Sequence, residues 1–284
     1  MGAFGAHLIA STLWLGMACA NASAQETVSL MREDQKVTAV LAYAPKLLAC
    51  SGIAIVSPGA GGSEHGYRYL GEALSALGYL TIVTGHQESG TRVLREHLLR
   101  DGMQRGLAKL ITDPNAYRSR LMDVASAQRW AFERCGSSES ILIGHSMGAA
   151  TVMLEAGARN NVGASGANSF STYIALSPQG SGLIFPENAW ADIKARVLML
   201  TGTRDTELGG ASWETRTEPY KGMATGCKWL GVIDGATHMN LAGIGRSRSA
   251  EVSTTQTITA FLDGVHRGDC RLEKPIEGIE IQTK

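Results

Sequence analysis

Ser146 stands in Gly144-His145-Ser146-Met147-Gly148, after the apolar run Ile141-Leu142-Ile143 and before the small helix formers Ala149-Ala150-Thr151. The pattern predicts a strand, a sharp turn and a helix, with the serine at the apex. A residue held there at strained backbone angles leaves no room for side chains on the neighbours packed beneath it, so Gly144 and Gly148 read as spacers. The hydroxyl then stands clear of the sheet, and the helix behind it aims backbone N–H groups at negative charge forming there. Such a serine attacks a carbonyl only with a base to take its proton and a carboxylate to fix the base's tautomer. By itself the motif is weak, because a chain this rich in Gly and Ser matches it by chance on the order of once in three such chains.

The rest of the chain supplies partners. Gly202-Thr203-Arg204-Asp205 follows the apolar run Val197–Thr201, and Asp234-Gly235-Ala236-Thr237-His238-Met239-Asn240 follows Trp229–Ile233. In an open parallel sheet, reactive groups gather beyond the carboxyl ends of the strands, which puts Asp205 and His238 on the same edge as Ser146. Asp205 has Glu207 and Asp234 as rivals for the orienting carboxylate. His238 has His65, His86, His97, His145 and His266 as rivals for the base. Of these, His97 and His266 read as solvated, and His145 is expected to point away from Ser146. An oxyanion needs two donors: the N–H of Met147, and one from the turn Ser57-Pro58-Gly59-Ala60-Gly61-Gly62-Ser63, where Ala60 is the candidate. The same turn as a phosphate cradle would need Gly-Lys-Ser/Thr, and no lysine follows it.

The positioning elements follow from periodicity. Val28–Met31 and Val37–Tyr43 predict an antiparallel edge hairpin, and Ile53–Ser57 a parallel strand buried on both faces. A helix over Gly66–Leu77, a strand at Leu80–Val83 and a long helix over Asn115–Arg134, capped by Asp113-Pro114, come next. Further strands are expected at Ile141–Ile143, Tyr173–Leu176, Val197–Thr201 and Trp229–Ile233, and a closing helix over Glu251–Val265. Strands alternating with helices imply an α/β fold, a single domain whose mostly parallel central sheet has helices on both faces. Thr91–Ile111 reads as one amphipathic helix with Val93, Leu94, Leu98, Leu99, Met103, Leu107 and Leu110 as its apolar members. It leaves the sheet on the edge that bears Ser146 and so could roof a pocket. Arg92, Arg95, Arg100, Arg105 and Lys109 are read as its solvated face. Little chain lies between Ser177 and Ala195 for a large cap domain. Trp190 and Trp213 could line a substrate pocket, though core packing is the commoner fate of Trp.

With 284 residues, 44% of them hydrophobic, and zero formal charge, the chain holds a sizeable core and gives no reason to expect nucleic acid or an anionic membrane as partner. Residues 1–24 read as a signal peptide: Leu8–Ala20 is apolar but too short to span a bilayer, and Ala22-Ser23-Ala24 fits a cleavage site. The mature chain, 25–284, is then exported, periplasmic or secreted, without stable membrane insertion. It retains Cys50, Cys135, Cys227 and Cys270, an even count that predicts two disulfides among three connectivities. Cys50 and Cys135 each precede a strand expected to neighbour the other, which favours Cys50–Cys135 with Cys227–Cys270. No Cys-x-x-Cys spacing points to a metal.

Taken together, Ser57–Ser63, Gly144–Thr151, Leu176-Ser177-Pro178-Gln179-Gly180, Leu200–Asp205 and Gly235–Asn240 give the chain a resemblance to the serine α/β-hydrolases. It is most similar to the dienelactone-hydrolase-like, platelet-activating-factor-acetylhydrolase-like and cutinase-type esterases, and the chain order Ser146, Asp205, His238 is theirs. Dienelactone hydrolases proper carry a cysteine where this chain has Ser146, and the acetylhydrolases have His-Gly where it has Pro58-Gly59, so neither substrate carries over. The resemblance implies a two-step acyl transfer on a small-molecule or lipid-like ester, with no cofactor and no metal. A lipase or polyester hydrolase acting at an interface, and a non-catalytic binding protein on the same fold, are the competing expectations. Oligomeric state stays open.

Overall fold

Alternation along the strands divides the apolar residues into two cores, one on each face of a central sheet. In β3 (Gly52–Ser57), Ile53 and Ile55 join one core while Ala54 and Val56 join the other. In β5 (Ser140–His145), Leu142 faces the first core and Ile141 and Ile143 the second. Every residue of both strands is buried, as parallel strands covered on two sides must be. The computed structural model of the chain describes residues 25–47, 49–206, 210–245 and 247–284; the expected leader, 1–24, and Glu207 lie outside them.

Among the described residues nine strands form one sheet in the order β1-β2-β4-β3-β5-β6-β7-β8-β9. The inner strands β4 (Tyr79–Thr84), β3, β5, β6 (Thr172–Leu176), β7 (Arg196–Arg204) and β8 (Lys228–Thr237) are parallel. The hairpin of β1 (Gln25–Met31) and β2 (Val37–Tyr43) adds antiparallel strands at one edge, as expected. At the other edge lies β9 (Ile279–Thr283), antiparallel to β8 and not anticipated. Helices α1 (Arg68–Ala76) and α8 (Arg248–Arg267) bury apolar residues in the second core, and α4 (Pro114–Cys135) and α5 (Met147–Glu155) in the first. This is a single α/β domain with helices on both faces and no large cap. Among the described residues no helix is long and apolar enough to cross a membrane.

The single helix expected over Thr91–Ile111 is instead two, α2 (Thr91–Asp101) and α3 (Met103–Ile111). Gly102 between them has φ 78° and ψ 170°, angles open to glycine but not to residues with a side chain, and it ends one helix and reverses the chain. Gly106 then approaches the carbonyl of His97 more closely than a Cβ would permit. Leu99 and Met103, assigned to one apolar stripe, fall at the turn and are 78% and 74% exposed. The arginine-rich side is solvated, with Arg92 paired to Glu96 one turn on.

Both expected disulfides form, with Cα–Cα distances of 5.4 Å for Cys50–Cys135 and 5.5 Å for Cys227–Cys270. The first ties the entry to β3 to the end of α4, and the second ties the entry to β8 to the segment after α8. Loops this long, 85 and 43 residues, lose considerable entropy when closed in the unfolded chain. Replacing Cys50 and Cys135 by serine is expected to lower unfolding stability by roughly 2–5 kcal/mol, read from the urea midpoint at constant m-value.

Candidate active site

Ser146 joins β5 to α5 at φ 55° and ψ −118°, a strained conformation for a residue with a side chain. Two close backbone approaches make the turn possible. A Cβ on Gly144 would strike the carbonyl of Gly148, and one on Gly148 would strike the carbonyl of Ser57. The amide of Ser146 is anchored on the Leu176 carbonyl at 3.0 Å. Its side chain is partly exposed, whereas its neighbours His145 and Met147 are buried.

Strands β7 and β8 run further than their apolar cores predicted. After a register shift at Gly202 they pair again at Arg204 and Thr237, so the next residues, Asp205 and His238, emerge side by side. His238 opens the short helix α7 (His238–Leu241), capped by Thr237, whose amide donates to Asn240 Oδ1 at 3.0 Å. Its Nδ1 lies 2.9 Å from Asp205 Oδ1. A carboxylate at that distance can only accept, so Nδ1 carries the ring proton and Nε2 is left bare, the tautomer a general base needs. The second Asp205 oxygen accepts from Thr201 Oγ1 at 3.0 Å, and Arg216 Nε sits 2.8 Å from Oδ1. Burial works against the ionised Asp205 carboxyl. The His238 hydrogen bond and the Arg216 charge outweigh it and hold the group below its ordinary value. Arg216 is itself buried, donating also to the carbonyls of Ser177 and Pro178 at 3.1 Å each.

The structure thus joins Asp205 to His238. Ser146 Oγ makes no hydrogen bond to a described residue, His238 included; the His238 ring lies 4.6 Å from that of His145, the residue adjoining Ser146. The rival Asp234 is exposed and engages Thr203 instead. Of the other histidines, His65 is exposed and His266 pairs with Glu139 at 2.9 Å. His145 is buried with Nε2 on the His238 carbonyl at 3.0 Å. Trp190 is enclosed in the core against Phe185, and Trp213 packs half-buried on the same core. The hollow of about 960 Å³ between α1, α8 and residues 272–278 is lined by the rival Asp234 but by none of Ser146, Asp205, His238, Ala60 and Met147.

In the turn after β3, three of the four amides from Gly59 to Gly62 are taken. Gly59 N–H donates to Tyr67 Oη (3.0 Å), Gly61 N–H to Ser89 O (2.8 Å) and Gly62 N–H to Gly59 O (3.0 Å). Ala60 N–H has no acceptor among the described residues. Met147 N–H, in the first turn of α5, has none within its helix.

Beneath this turn lies a second set of the same three residue types, which the sequence did not reveal. His86 Nδ1 is 2.8 Å from Asp123 Oδ2, and its Nε2 is 2.9 Å from Ser57 Oγ. Asp123 also meets the buried Arg32, which clamps Asp34 and Glu88 as well. All three members are sealed, with Ser57 and Asp123 at 0% and His86 at 3% exposure, so no substrate reaches them. Burial, with the nearby Arg120 charge, pushes the His86 imidazole down to about 4 against the pull of Asp123. Among the described residues no cluster of three or more His, Cys, Asp or Glu could hold a metal ion.

No family model matches the sequence. No curated protein matches it either. Solved structures do match in shape. A dienelactone hydrolase from Anabaena variabilis superposes with a TM-score of 0.58 at 18% identity, covering 85% of this chain and 97% of that one. An α/β serine hydrolase homologue from Coxiella burnetii gives 0.55 at 15% identity over 82% and 95%. A lidless α/β serine hydrolase from Xanthomonas campestris gives 0.57 at 15% identity over 89% and 98%. The chain therefore has the α/β-hydrolase fold.

The buried imidazole makes stability depend on pH in a definite direction. His86 titrates lower in the folded chain than its ordinary 6.5, so the unfolded chain binds the extra proton. Its contribution is complete above about 6.5 and is lost as pH falls from there through about 4. The displacement corresponds to roughly 3 kcal/mol. Burial also pushes the His145 imidazole well below 6.5, which adds in the same sense. Urea midpoints are expected to fall between pH 7 and pH 4, and to fall less steeply in His86→Gln.

Proposed function

We propose that the chain is a serine hydrolase of carboxylic esters, acting through Ser146, His238 and Asp205 with an oxyanion hole formed by Ala60 and Met147. The observation that carries this is the 2.9 Å contact between the half-buried His238 imidazole and the buried Asp205 carboxylate, at the sheet edge that also bears a strained, partly exposed serine and two unclaimed amides. Ser146 Oγ attacks the ester carbonyl while His238 Nε2 takes its proton. The tetrahedral oxyanion rests on Ala60 and Met147 N–H, His238 returns the proton to the leaving alcohol, and water releases the acid by the same two steps. Asp205 stays ionised throughout and holds the imidazole. The dienelactone and serine hydrolases of the same fold support the hydrolase reading, and the two disulfides together with the signal-peptide-like sequence expected over 1–24 support export.

One observation favours a substrate at an interface. Met239, within α7 next to His238, and Ile244, just after it, are 48% and 54% exposed and give its surroundings an apolar surface. A lipase or polyester hydrolase would bury such side chains in a lipid or polymer surface.

Fluorophosphonate is expected to label the native chain stoichiometrically and to leave Ser146→Ala unlabelled; a wild type that resists the probe while folded refutes the proposal. Asp205→Asn, which offers His238 the wrong hydrogen-bonding partner, is expected to lower kcat by about 10³-fold or more on a soluble p-nitrophenyl ester. Interfacial action would appear as a higher rate on an emulsion or film than on soluble esters of graded chain length. The isolated Met239→Ser change would reduce only the former.

A further inference from the structure

Tyr67 stands at the entry to α1 in left-handed backbone geometry (φ 55°, ψ 28°), which is disfavoured for a bulky aromatic residue and persists only where its surroundings over-determine it. Its ring is buried and its hydroxyl is engaged on two sides. The oxygen accepts the Gly59 N–H at 3.0 Å, and His145 Nδ1 lies 2.9 Å away. The direction of these bonds is fixed from the far end. A backbone carbonyl can only accept, so His145 Nε2, 3.0 Å from the His238 carbonyl, carries that ring's proton. Burial keeps the imidazole neutral, which makes Nδ1 an acceptor and Tyr67 its donor. Burial also lifts the Tyr67 phenol to about 12, so it remains a donor at any working pH.

Three hydrogen bonds therefore run, without a reversible member, from the backbone next to Ala60 to the backbone of His238. Arg120 completes the arrangement from the other side, donating to Pro58 O at 2.7 Å and to Gly59 O at 3.3 Å. In a trans peptide the carbonyl and the N–H point in opposite directions. Holding the Pro58 carbonyl at Arg120 turns the Gly59 N–H towards Tyr67, and holding the Gly59 carbonyl turns the Ala60 N–H away from Arg120.

We propose that Tyr67, acting through His145, is a positioning residue that fixes the spacing between the Ala60 amide and the His238 imidazole. The proposal rests on the ester-hydrolase reading and adds to it a tie between oxyanion hole and base. Neither Tyr67 nor His145 touches the ester. Their effect falls on the tetrahedral species, which needs its donor within about 3 Å of the oxyanion, and not on the bound ester before attack. Removing the tie lowers kcat and leaves KM nearly unchanged.

The test is Tyr67→Phe, His145→Gln and the double variant, assayed with a soluble p-nitrophenyl ester and with a phenylboronic acid that forms a tetrahedral adduct on the serine. His145→Gln retains an N–H for the His238 carbonyl but moves its one acceptor, Oε1, off the Nδ1 position to which Tyr67 donates. Each single change is expected to lower kcat roughly 10- to 100-fold with KM within about twofold, and boronate affinity should fall in parallel. The double variant is expected to lose no more than the worse single one, because both break one tie. A folded Tyr67→Phe with wild-type kcat, a change confined to KM, or additive losses would overturn the tie while the hydrolase reading stood. Wild type without Ser146-dependent turnover would overturn both. Should Tyr67→Phe fail to fold by circular dichroism, His145→Gln decides on the same readouts.

Discussion

The Cα of Gly148 rests on the carbonyl of Ser57 with no space for a methyl group between them. Much of the site depends on that contact. Strands β3 and β5 are paired in register up to Ser57 and Gly144, so the loop after one and the turn after the other leave the sheet at the same level. The bare Cα lets the first turn of α5 settle directly against the loop after β3. Ala60 and Met147 come from opposite sides of that contact. In the proposed reaction their amides must meet one oxygen, so any side chain at 148 would separate them by forcing helix and loop apart.

Such closeness buries Pro58 and Gly59, and their carbonyls need donors that no strand can supply. Arg120 supplies them, and is a fully buried cation with no carboxylate of a described residue in direct contact. Asp123 offsets its charge at longer range while bonding His86 and Arg32 directly. Removing one member of such a set would strand a charge in a medium that cannot solvate it. The Ser57–His86–Asp123 set within it also shows that residue types do not specify a function. It repeats the constituents proposed for reaction and has tighter contacts, yet it is sealed, and it serves to carry polar groups through the core. Exposure of the serine and access to free amides separate the two sets.

Legibility in the sequence followed burial. Strands covered on two faces must be continuous apolar runs, and β3, β5, β6 and β7 could be read from theirs. The exposed edge strand β9 carries no such run, with Ile279 and Ile281 alternating with polar residues over only five positions. The division of Thr91–Ile111 into two helices rested on one glycine that a periodic reading passes over. Ser146, Asp205 and His238 stood out because each follows an apolar strand and is flanked by the small residues a tight turn needs. Tyr67, His145, Arg120 and Arg216 did not. Apart from Asp205, what these four hold are mainly backbone groups, brought together by the folded chain and without a sequence signature of their own.

Arg216 makes the environment of the base less simple than three side chains in series. Asp205 Oδ1 faces both His238 Nδ1 and Arg216 Nε, at 2.9 Å and 2.8 Å. The guanidinium keeps the buried carboxylate ionised and aimed, which fixes the tautomer of His238. It is also a positive charge close to the ring that, in the proposed reaction, becomes positive on taking the serine's proton. At about 4 Å and an effective dielectric constant near 20, unit charges interact by about 4 kcal/mol, so neither the attraction to Asp205 nor the repulsion from Arg216 is negligible. The two oppose each other on the imidazolium. The pair therefore gains orientation from Arg216 at the expense of charge stabilisation, and in the proposed reaction holding the tetrahedral species falls more heavily on the amides of Ala60 and Met147.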